Sequence, residues 1–350
     1  MKKMLLVLGV AAAAMTSCTS DELIEVNQSS LIKFEPFVNK GTRSVTDTDG
    51  NISKFYVYGC HTEGGLVSDF VNVPVTKSNS EWGYYTGDGN DEENYRYWTS
   101  AQYFFGAYAT KNESGKLENG TDVAFDQVNN NLTFTDFTVN DDNDLVADVM
   151  TFTQTSFEDP KKVQFNFSHL LSKIQFSFTN DHSVEGTTMT ISDLKIDKCR
   201  VMGTCVVTAT EATWSELPVD GNDGTNTEEG TRVLALHNVT YEGIAIDGTY
   251  VNNTLVVPGD IQDDYKVSFT VTFKNAQGQI IGERTYADNS AIVLTTNAVT
   301  KWEPGYVYNY TANLSLDLVR IVFGDPTVTP WDPDLNGDGN DTNDGIPMIQ

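Results

Sequence analysis

Apolar and polar residues alternate with a period of two along much of the chain. Because successive side chains of a strand point to opposite faces of a sheet, this period predicts strands that each bury one face. Turn-forming runs rich in Gly, Asn and Asp separate the strands, as expected for antiparallel hairpins and Greek-key crossings. The pattern therefore predicts an all-β protein built of β-sandwiches. The alternating segments are 54–60 (KFYVYGC), 132–139 (LTFTDFTV), 163–167 (VQFNF), 173–178 (KIQFSF), 265–273 (YKVSFTVTF) and 306–318 (YVYNYTANLSLDL).

The chain is long enough for two domains. Without its N-terminal leader it has roughly 330 residues, more than a single hydrophobic core usually organises. The polar run EDPKK suggests a boundary near 158–163, and HLLSKI at 169–174 is the one segment where helix and strand are both plausible. We expect five segments: a signal peptide (1–17), a lipidated tether with a pro-strand (18–43), an N-terminal sandwich (44–162), a C-terminal sandwich (163–331) and a flexible acidic tail (332–350).

The leader MKKMLLVLGVAAAAMTSC has the pattern of a lipoprotein signal peptide. Two lysines precede an apolar run that is too short to span a bilayer and that ends in small residues. Cys18 lies at the expected cut, where it would be acylated and become the mature N-terminus. An ordinary signal peptide with a chance cysteine is the alternative. We expect the mature chain to be tethered to a membrane by lipid.

A strand-like run and a basic site follow the tether. Apolar and polar residues alternate over 31–38, and Arg43 is the first of six arginines. Cleavage between Arg43 and Ser44 by a trypsin-like protease would remove the strand and the lipid together, leaving an apolar groove. Because unpaired strand edges and exposed apolar surface are costly, the groove would require a partner strand. An ordinary first strand followed by a loop arginine explains the same residues.

The charge balance excludes one class of partner. The chain has 49 acidic and 22 basic residues and a net charge of −27. Phosphate recognition depends on cationic surface, so we expect no nucleic-acid partner. Anionic lipid surfaces are disfavoured for the same reason.

No group of residues forms a catalytic signature. P-loop, G-x-S-x-G and C-x-x-C motifs are absent, and the histidines at 61, 169, 182 and 237 are isolated. His169 lies among apolar strand residues, which is typical of a packed core histidine rather than a metal ligand. We therefore expect a protein that is not an enzyme and uses no cofactor, although one sequence would not reveal two carboxylates facing each other across a glycosidase cleft.

The tail contains a partial calcium motif. Asp334, Asn336 and Asp338 reproduce the opening of a D-x-N-x-D-G loop, but Gly345 stands where a bidentate glutamate is needed. An acidic flexible tail without metal is the favoured interpretation, and calcium binding at these three residues is the weaker alternative.

Three cysteines remain if Cys18 carries lipid. Cys199 and Cys205 flank a turn-like stretch, so a disulfide across a hairpin is conceivable in an oxidising compartment. The favoured alternative is that these two and Cys60 are small buried residues on strands.

Four aromatic residues admit two interpretations. Exposed on the surface, they would allow a permanently lipidated outer-membrane protein to capture glycans. Packed inside, which we favour, they would belong to the core. The residues are Trp82, Tyr84, Tyr85 and Trp98.

Six segments together carry a resemblance to a known family. They are the lipobox MTSC ending at Cys18, the strand and basic site up to Arg43, DLVAD (144–148), FNFSHLLSKIQFSF (165–178), GTCVVTATEATW (203–214) and KWEPGYVYNYTANLSL (301–316). On these features the sequence resembles the fimbrillin family, which are lipoprotein-derived or type V pilins, over essentially its whole length.

The resemblance implies a precursor with two Greek-key, transthyretin-like sandwiches that reaches the outer membrane as a lipoprotein. A maturation protease would trim it after Arg43, and it would join other pilin subunits in a surface fimbrium by donor-strand exchange. The candidate donor is 318–330, where Val319, Ile321 and Phe323 alternate and would bury one face in the vacated groove. The implied role is structural or adhesive.

Overall fold

The structure of the chain is a computed structural model. It describes residues 30–38, 52, 54–78, 81–84, 95–110, 117, 121–139, 144–180, 186–215, 231–235, 239–242, 252–263, 265–294, 296, 298–314, 321 and 323–331. Cys18, Arg43, Ser44, Val319 and the tail after Trp331 lie outside these residues.

The described residues are almost entirely β-strand, which confirms the all-β prediction. A 3₁₀ turn covers Asp288–Ser290. Among the described residues, no helix is long and apolar enough to cross a membrane. In chain order the strands are β1 (Phe34–Val38), β2 (Lys54–Thr62), β3 (Leu66–Ser78), β4 (Glu81–Tyr84), β5 (Gln102–Thr110), β6 (Asp122–Asp126), β7 (Asn131–Thr138), β8 (Leu145–Thr153), β9 (Val163–His169), β10 (Ser172–Asn180), β11 (Thr188–Arg200), β12 (Met202–Val207), β13 (Ala212–Ser215), β14 (Thr231–Ala235), β15 (Val239–Glu242), β16 (Asn252–Val256), β17 (Gly259–Asp260), β18 (Lys266–Lys274), β19 (Ile280–Tyr286), β20 (Ile292–Val293), β21 (Lys301–Trp302), β22 (Tyr306–Leu314) and β23 (Thr327–Pro330).

The strands combine into larger sheets that we name A to D. Sheet A has the order β1-β9-β8-β5-β2-β3-β4, and sheet B has the order β13-β12-β7-β6. Sheet C is β16-β10-β22-β23. Sheet D is β14-β11-β18-β19, with β15 also on β11 and β20 also on β18. Strands β17 and β21 form a separate pair.

Sheet A buries residues on both faces, because apolar residues occupy odd and even positions of its central strands. The odd positions of β2 and β5 face an aromatic cluster that we call the inner core. The even positions, including Tyr58 and Tyr108, face sheet B. The inner core consists of Ile32, Phe34, Phe55, Val57, Phe70, Val73, Val75, Tyr84, Trp98, Tyr103, Phe105, Ala107, Ala109, Val146, Val163, Phe165 and Phe167.

Sheets C and D face each other across the main core, which continues into the contact between sheets A and B. Phe178 of β10 lies 5.1 Å from Phe269 of β18 between ring centroids. On its other face β10 also buries Lys173, Gln175 and Ser177, which are 5%, 2% and 4% exposed. The prediction of one buried face per strand is therefore wrong for β10, whose outward side chains are polar and yet covered.

The predicted boundary at 162/163 runs through sheet A. Strand β9 begins at Val163 but pairs with β1 and β8. The chain leaves sheet A only after His169, and the buried Leu170 and Leu171 lead directly into β10 of sheet C, so no helix forms there. Strand β12 also returns to pair with β7. The division into two domains stays a prediction.

Candidate strand-exchange site

The first described run of the chain lies at the edge of sheet A. Strand β1 pairs in parallel with β9, from Phe34 beside Val163 to Val38 beside Phe167. The Val163 amide donates a hydrogen bond to the Lys33 carbonyl (2.8 Å). Edge strands are where a chain can leave or join a sheet without breaking a ladder on both sides.

The residues just before β1 pair with a different segment. Leu31 forms an antiparallel bridge with Tyr97. The Ile32 amide donates to the Arg96 carbonyl, and the Trp98 amide donates to the Ser30 carbonyl, each at 2.9 Å. The run 30–38 is thus held between residues 96–98 and β9.

Phe34 is the centre of the inner core. Its side chain is 2% exposed, and Ile32 on the same face is fully buried. The Phe34 ring contacts one aromatic ring on each of β3, β4, β5 and β9. The distances between ring centroids are 5.0 Å to Phe70, 5.6 Å to Tyr84, 5.6 Å to Phe105 and 5.8 Å to Phe165. Removal of the run would therefore open an aromatic groove in sheet A.

The candidate donor lies in the core of its own chain. Ile321 and Phe323 are 8% and 5% exposed and belong to the main core. Phe323 forms a bridge with Ala312 of β22, and its ring lies 5.6 Å from Phe176 and 5.9 Å from Phe178. Donation to a neighbour would require this segment to leave sheet C.

The C-terminal run continues along β22 as β23. These strands pair antiparallel, from Asn309 beside Thr327 to Tyr306 beside Pro330. The next residue, Trp331, donates its amide hydrogen to the Gly305 carbonyl at 2.7 Å. Gly305 has a φ of 76° and follows Pro304 in the turn before β22, a conformation that favours glycine. Strand β23 therefore lies at the edge of sheet C, beside β22.

The pro-strand and the candidate donor share a short pattern that the sequence analysis missed. Ile32 and Phe34 are separated by one residue, as are Ile321 and Phe323. All four side chains are buried. The signal was visible in the sequence, but only the structure shows that both pairs fill a core.

Two described histidines have acidic partners. His61 Nδ1 is 2.7 Å from Asp69 Oδ2, and His61 Nε2 is 3.2 Å from Glu63 Oε2. Burial alone would lower the pKa of His61, but the hydrogen bonds with these two carboxylates outweigh burial and raise it. His169 Nδ1 is 2.8 Å from Asp144 Oδ2. These histidines are paired with carboxylates, and among the described residues no group of three or more His, Cys, Asp or Glu is placed so that it could hold a metal ion.

The three described cysteines are buried, and no disulfide joins Cys199 to Cys205 in this structure. Cys205 lies on β12 beside Trp214, and its neighbour across the other edge is Phe134. The interpretation of these cysteines as small core residues agrees with these positions.

The aromatic residues considered for glycan capture are largely internal. Tyr84 and Trp98 are 4% and 6% exposed and belong to the inner core. Trp82 packs against that core, 5.1 Å from Phe55. Tyr85 and the calcium candidates Asp334, Asn336 and Asp338 lie outside the described residues.

Comparisons with known proteins give a family and a fold. A sequence model described as fimbrillin-like matches residues 42–331. Among solved structures, a fimbrial protein from Bacteroides vulgatus superimposes with a TM-score of 0.54 at 16% identity, over 86% of this chain and 99% of that chain. A candidate cell adhesion protein from Bacteroides ovatus gives a TM-score of 0.50 at 14% identity, over 86% and 98%. No curated protein matches the chain.

Proposed function

The chain belongs to the fimbrillin-like family, and from this premise we propose that it is a structural subunit of a surface fimbrium, or a related adhesin. The proposal has three further parts. The precursor is exported as an outer-membrane lipoprotein with lipid on Cys18, a maturation protease cuts it between Arg43 and Ser44, and the trimmed chain joins other pilin subunits by donor-strand exchange.

The burial of Phe34 is the observation that carries the proposal. Arg43 follows the end of β1 by five residues, so a cut there removes the whole run 30–38. The inner core would lose the aromatic ring at its centre, and β9 would lose a hydrogen-bonded neighbour. Full burial of one such side chain is worth about 1.5–3 kcal/mol. The trimmed chain would therefore gain free energy by accepting a strand from another subunit.

The shared Ile-x-Phe spacing supports 318–330 as that strand and sets its register. With Phe323 of a neighbour in the place of Phe34, Ile321 takes the place of Ile32. Gly324 then lies where Glu35 was, beside Gln164 of β9. Alternate side chains fill the groove, while main-chain hydrogen bonds hold the strand parallel to β9.

A disulfide experiment tests this register. In the variant Gly324→Cys with Gln164→Cys, donor exchange places the two new cysteines side by side on adjacent strands of different subunits. Both positions are exposed, and a Cβ at Gly324 meets nothing within 4 Å, so neither substitution disturbs the isolated chain. We expect a ladder of covalent oligomers after trimming and mild oxidation. The matched control, Gly324→Cys with Asn166→Cys, displaces the partner by two residues and should give few cross-links.

A second experiment tests the cleavage. Arg43→Ala should abolish polymerisation and leave the fold unchanged, whereas Lys40→Ala removes a nearby basic residue and should polymerise normally. Fibres of normal length from the Arg43→Ala variant would refute maturation at this site. If the Asn166→Cys control cross-linked more than the Gln164→Cys variant, the proposed register would be refuted. The proposal of cleavage after Arg43 would not be affected by that result.

A further inference from the structure

A cavity of about 320 Å³ lies between sheet A and β6, on the face of sheet A opposite the inner core. Its volume falls within the range of about 300–1,000 Å³ that is usual for small-molecule sites. Three tyrosines form its wall, and polar groups of β3 and β6 surround them. Its lining includes Tyr56, Tyr58, Asn72, Tyr108, Asp122 and Val123.

Asn72 has an unusual backbone that aims its side chain at the cavity. Its φ is 53°, in the left-handed region, which asparagine adopts more readily than most residues other than glycine. The pairing of β2 with β3 gains an extra residue at this point, since Val57 pairs with Val73 but Gly59 pairs with Phe70. Such bulges redirect side chains and occur often beside binding sites, where backbone strain is also concentrated.

The hydrogen bonds of Asn72 leave its donors available. The Tyr108 hydroxyl donates to Asn72 Oδ1 at 2.9 Å, which fixes the orientation of the amide. Asn72 Nδ2 then presents two N–H groups, and among the described residues it donates to none. Because Asn72 is exposed, these N–H groups face solvent, and a ligand with acceptor oxygens would take the place of water there.

The opposite rim offers acceptors. The Tyr58 hydroxyl donates to the Val123 carbonyl at 3.0 Å, so its oxygen lone pairs can still accept. Burial, and next the nearby Asp122 carboxylate, raise the pKa of Tyr58 to about 12, which keeps the phenol protonated. Asp122 itself is exposed, and its carboxylate oxygens can accept hydrogen bonds from a ligand.

The charges and rings of the cavity narrow the class of ligand. Asp122 is the one acidic residue in the described lining, and Lys54 Nζ lies 5.3 Å from the centroid of the Tyr56 ring, so the charges beside the cavity nearly cancel and favour a neutral ligand. The Tyr56 and Tyr108 rings stack, with centroids 5.3 Å apart and planes 16° apart, and give a rigid apolar wall. A ligand with both C–H faces and several hydroxyl groups matches this combination.

We propose that this cavity binds a neutral saccharide unit. The sugar hydroxyls exchange hydrogen bonds with Asn72 and Asp122, and a C–H face packs against the tyrosine wall. The site lies on the other face of sheet A from Phe34, so it does not depend on cleavage or strand exchange. It would give a subunit with this fold an adhesive function of its own.

Saturation-transfer NMR on the full chain tests the proposal, with Cys18→Ser to keep it in solution. The probes are D-galactose, D-glucose, D-mannose and N-acetyl-D-glucosamine. We expect transfer to at least one of them, and about ten-fold weaker binding in Asn72→Gly, which keeps the positive φ and removes the amide donors. Asp136→Gly is the matched control, because Asp136 is also exposed with a φ of 54° but lies on β7 away from the cavity.

Tyr58→Phe is the second variant, which keeps the ring and removes the hydroxyl, and it should also weaken binding. Thermal unfolding checks that each variant is folded. Absence of transfer to all four sugars from the folded parent overturns the proposal. Binding that Asn72→Gly and Tyr58→Phe both leave unchanged also overturns it, because the sugar would then be bound elsewhere.

Discussion

The His169 imidazole lies parallel to the Trp331 indole, with ring centroids 4.0 Å apart and planes 8° apart. Asp144 Oδ2 is 2.8 Å from Nδ1 of the same imidazole. Lys173 Nζ lies 5.7 Å from the indole centroid, within the range of a cation–π contact. Trp331 follows β23, and His169 ends β9, so this stack fastens the last described residue to the place where the chain passes from sheet A to sheet C.

Trp331→Ala should loosen the C-terminal run. The substitution removes the half-buried indole and its contacts with His169 and Lys173. We therefore expect the free energy of unfolding to fall by about 2 kcal/mol. Amides of β23 should exchange faster with solvent in hydrogen-exchange mass spectrometry. Trp331→Phe retains an aromatic face and should have the smaller effect. Unchanged exchange over 327–330 in the alanine variant would show that the stack does not hold this segment.

Phe34→Ala should destabilise the precursor strongly. It leaves a cavity among four aromatic rings, and such truncations cost about 3–5 kcal/mol. The urea midpoint, followed by tryptophan fluorescence, measures the loss. Val128→Ala is the control, since Val128 is 81% exposed and its truncation should change stability by less than about 0.5 kcal/mol. Similar midpoints for both variants would show that the inner core does not depend on Phe34.

The strands were predictable from the sequence, but their partners were not. The alternation in VQFNF predicts a strand with Val163, Phe165 and Phe167 on one buried face, which is what β9 shows. Nothing in that alternation indicates that its parallel neighbour is β1, because that pairing joins residues far apart in the chain. Local periodicity reports which side of a strand is buried and carries no information on what covers it.

The sequence pattern did not predict the buried polar face of β10 or the position of Asn72. Lys173, Gln175 and Ser177 suggest a solvated face of β10, but they are buried; the Ser177 hydroxyl, for example, donates to Asn309 Oδ1 at 2.9 Å. In the candidate saccharide site, Asn72 lies in the alternating run VNVPV (71–75), which predicts a strand but indicates neither the bulge in β3 nor the hydrogen bond with Tyr108. A bulge changes which residues of two strands lie side by side, and the periodicity of the sequence does not indicate such a change.

The tyrosines beside the cavity predict a loss of stability at high pH. Burial raises the pKa of Tyr58 to about 12, whereas in the unfolded chain the value is about 10. The folded state therefore keeps a proton that the unfolded state releases. The stabilisation is fully present below about pH 10 and is lost as the pH rises toward 12.

Unfolding experiments between pH 9 and about 12 would measure this effect. Tyr58→Phe removes one of several buried tyrosines whose pKa is raised, so the urea midpoint should depend less steeply on pH than in the parent. Tyr306→Phe, at a tyrosine that is 36% exposed, serves as the control and should retain the parental slope. A Tyr58→Phe variant with the same slope as the control would show that Tyr58 does not contribute.

A peptide experiment tests whether the groove left by β1 accepts the candidate donor. Protein lacking residues 1–43 should bind a peptide of residues 30–38 (SLIKFEPFV), because that peptide restores Ile32 and Phe34 to the inner core. A peptide of residues 319–327 (VRIVFGDPT) should compete for the same groove, since Ile321 and Phe323 have the same spacing. Replacing Phe323 by Ala in this peptide should weaken competition at least ten-fold, the loss expected for one buried aromatic side chain. Competition that is unaffected by this change would mean that the aromatic position does not set the register, and the donor would then have to be sought in another segment.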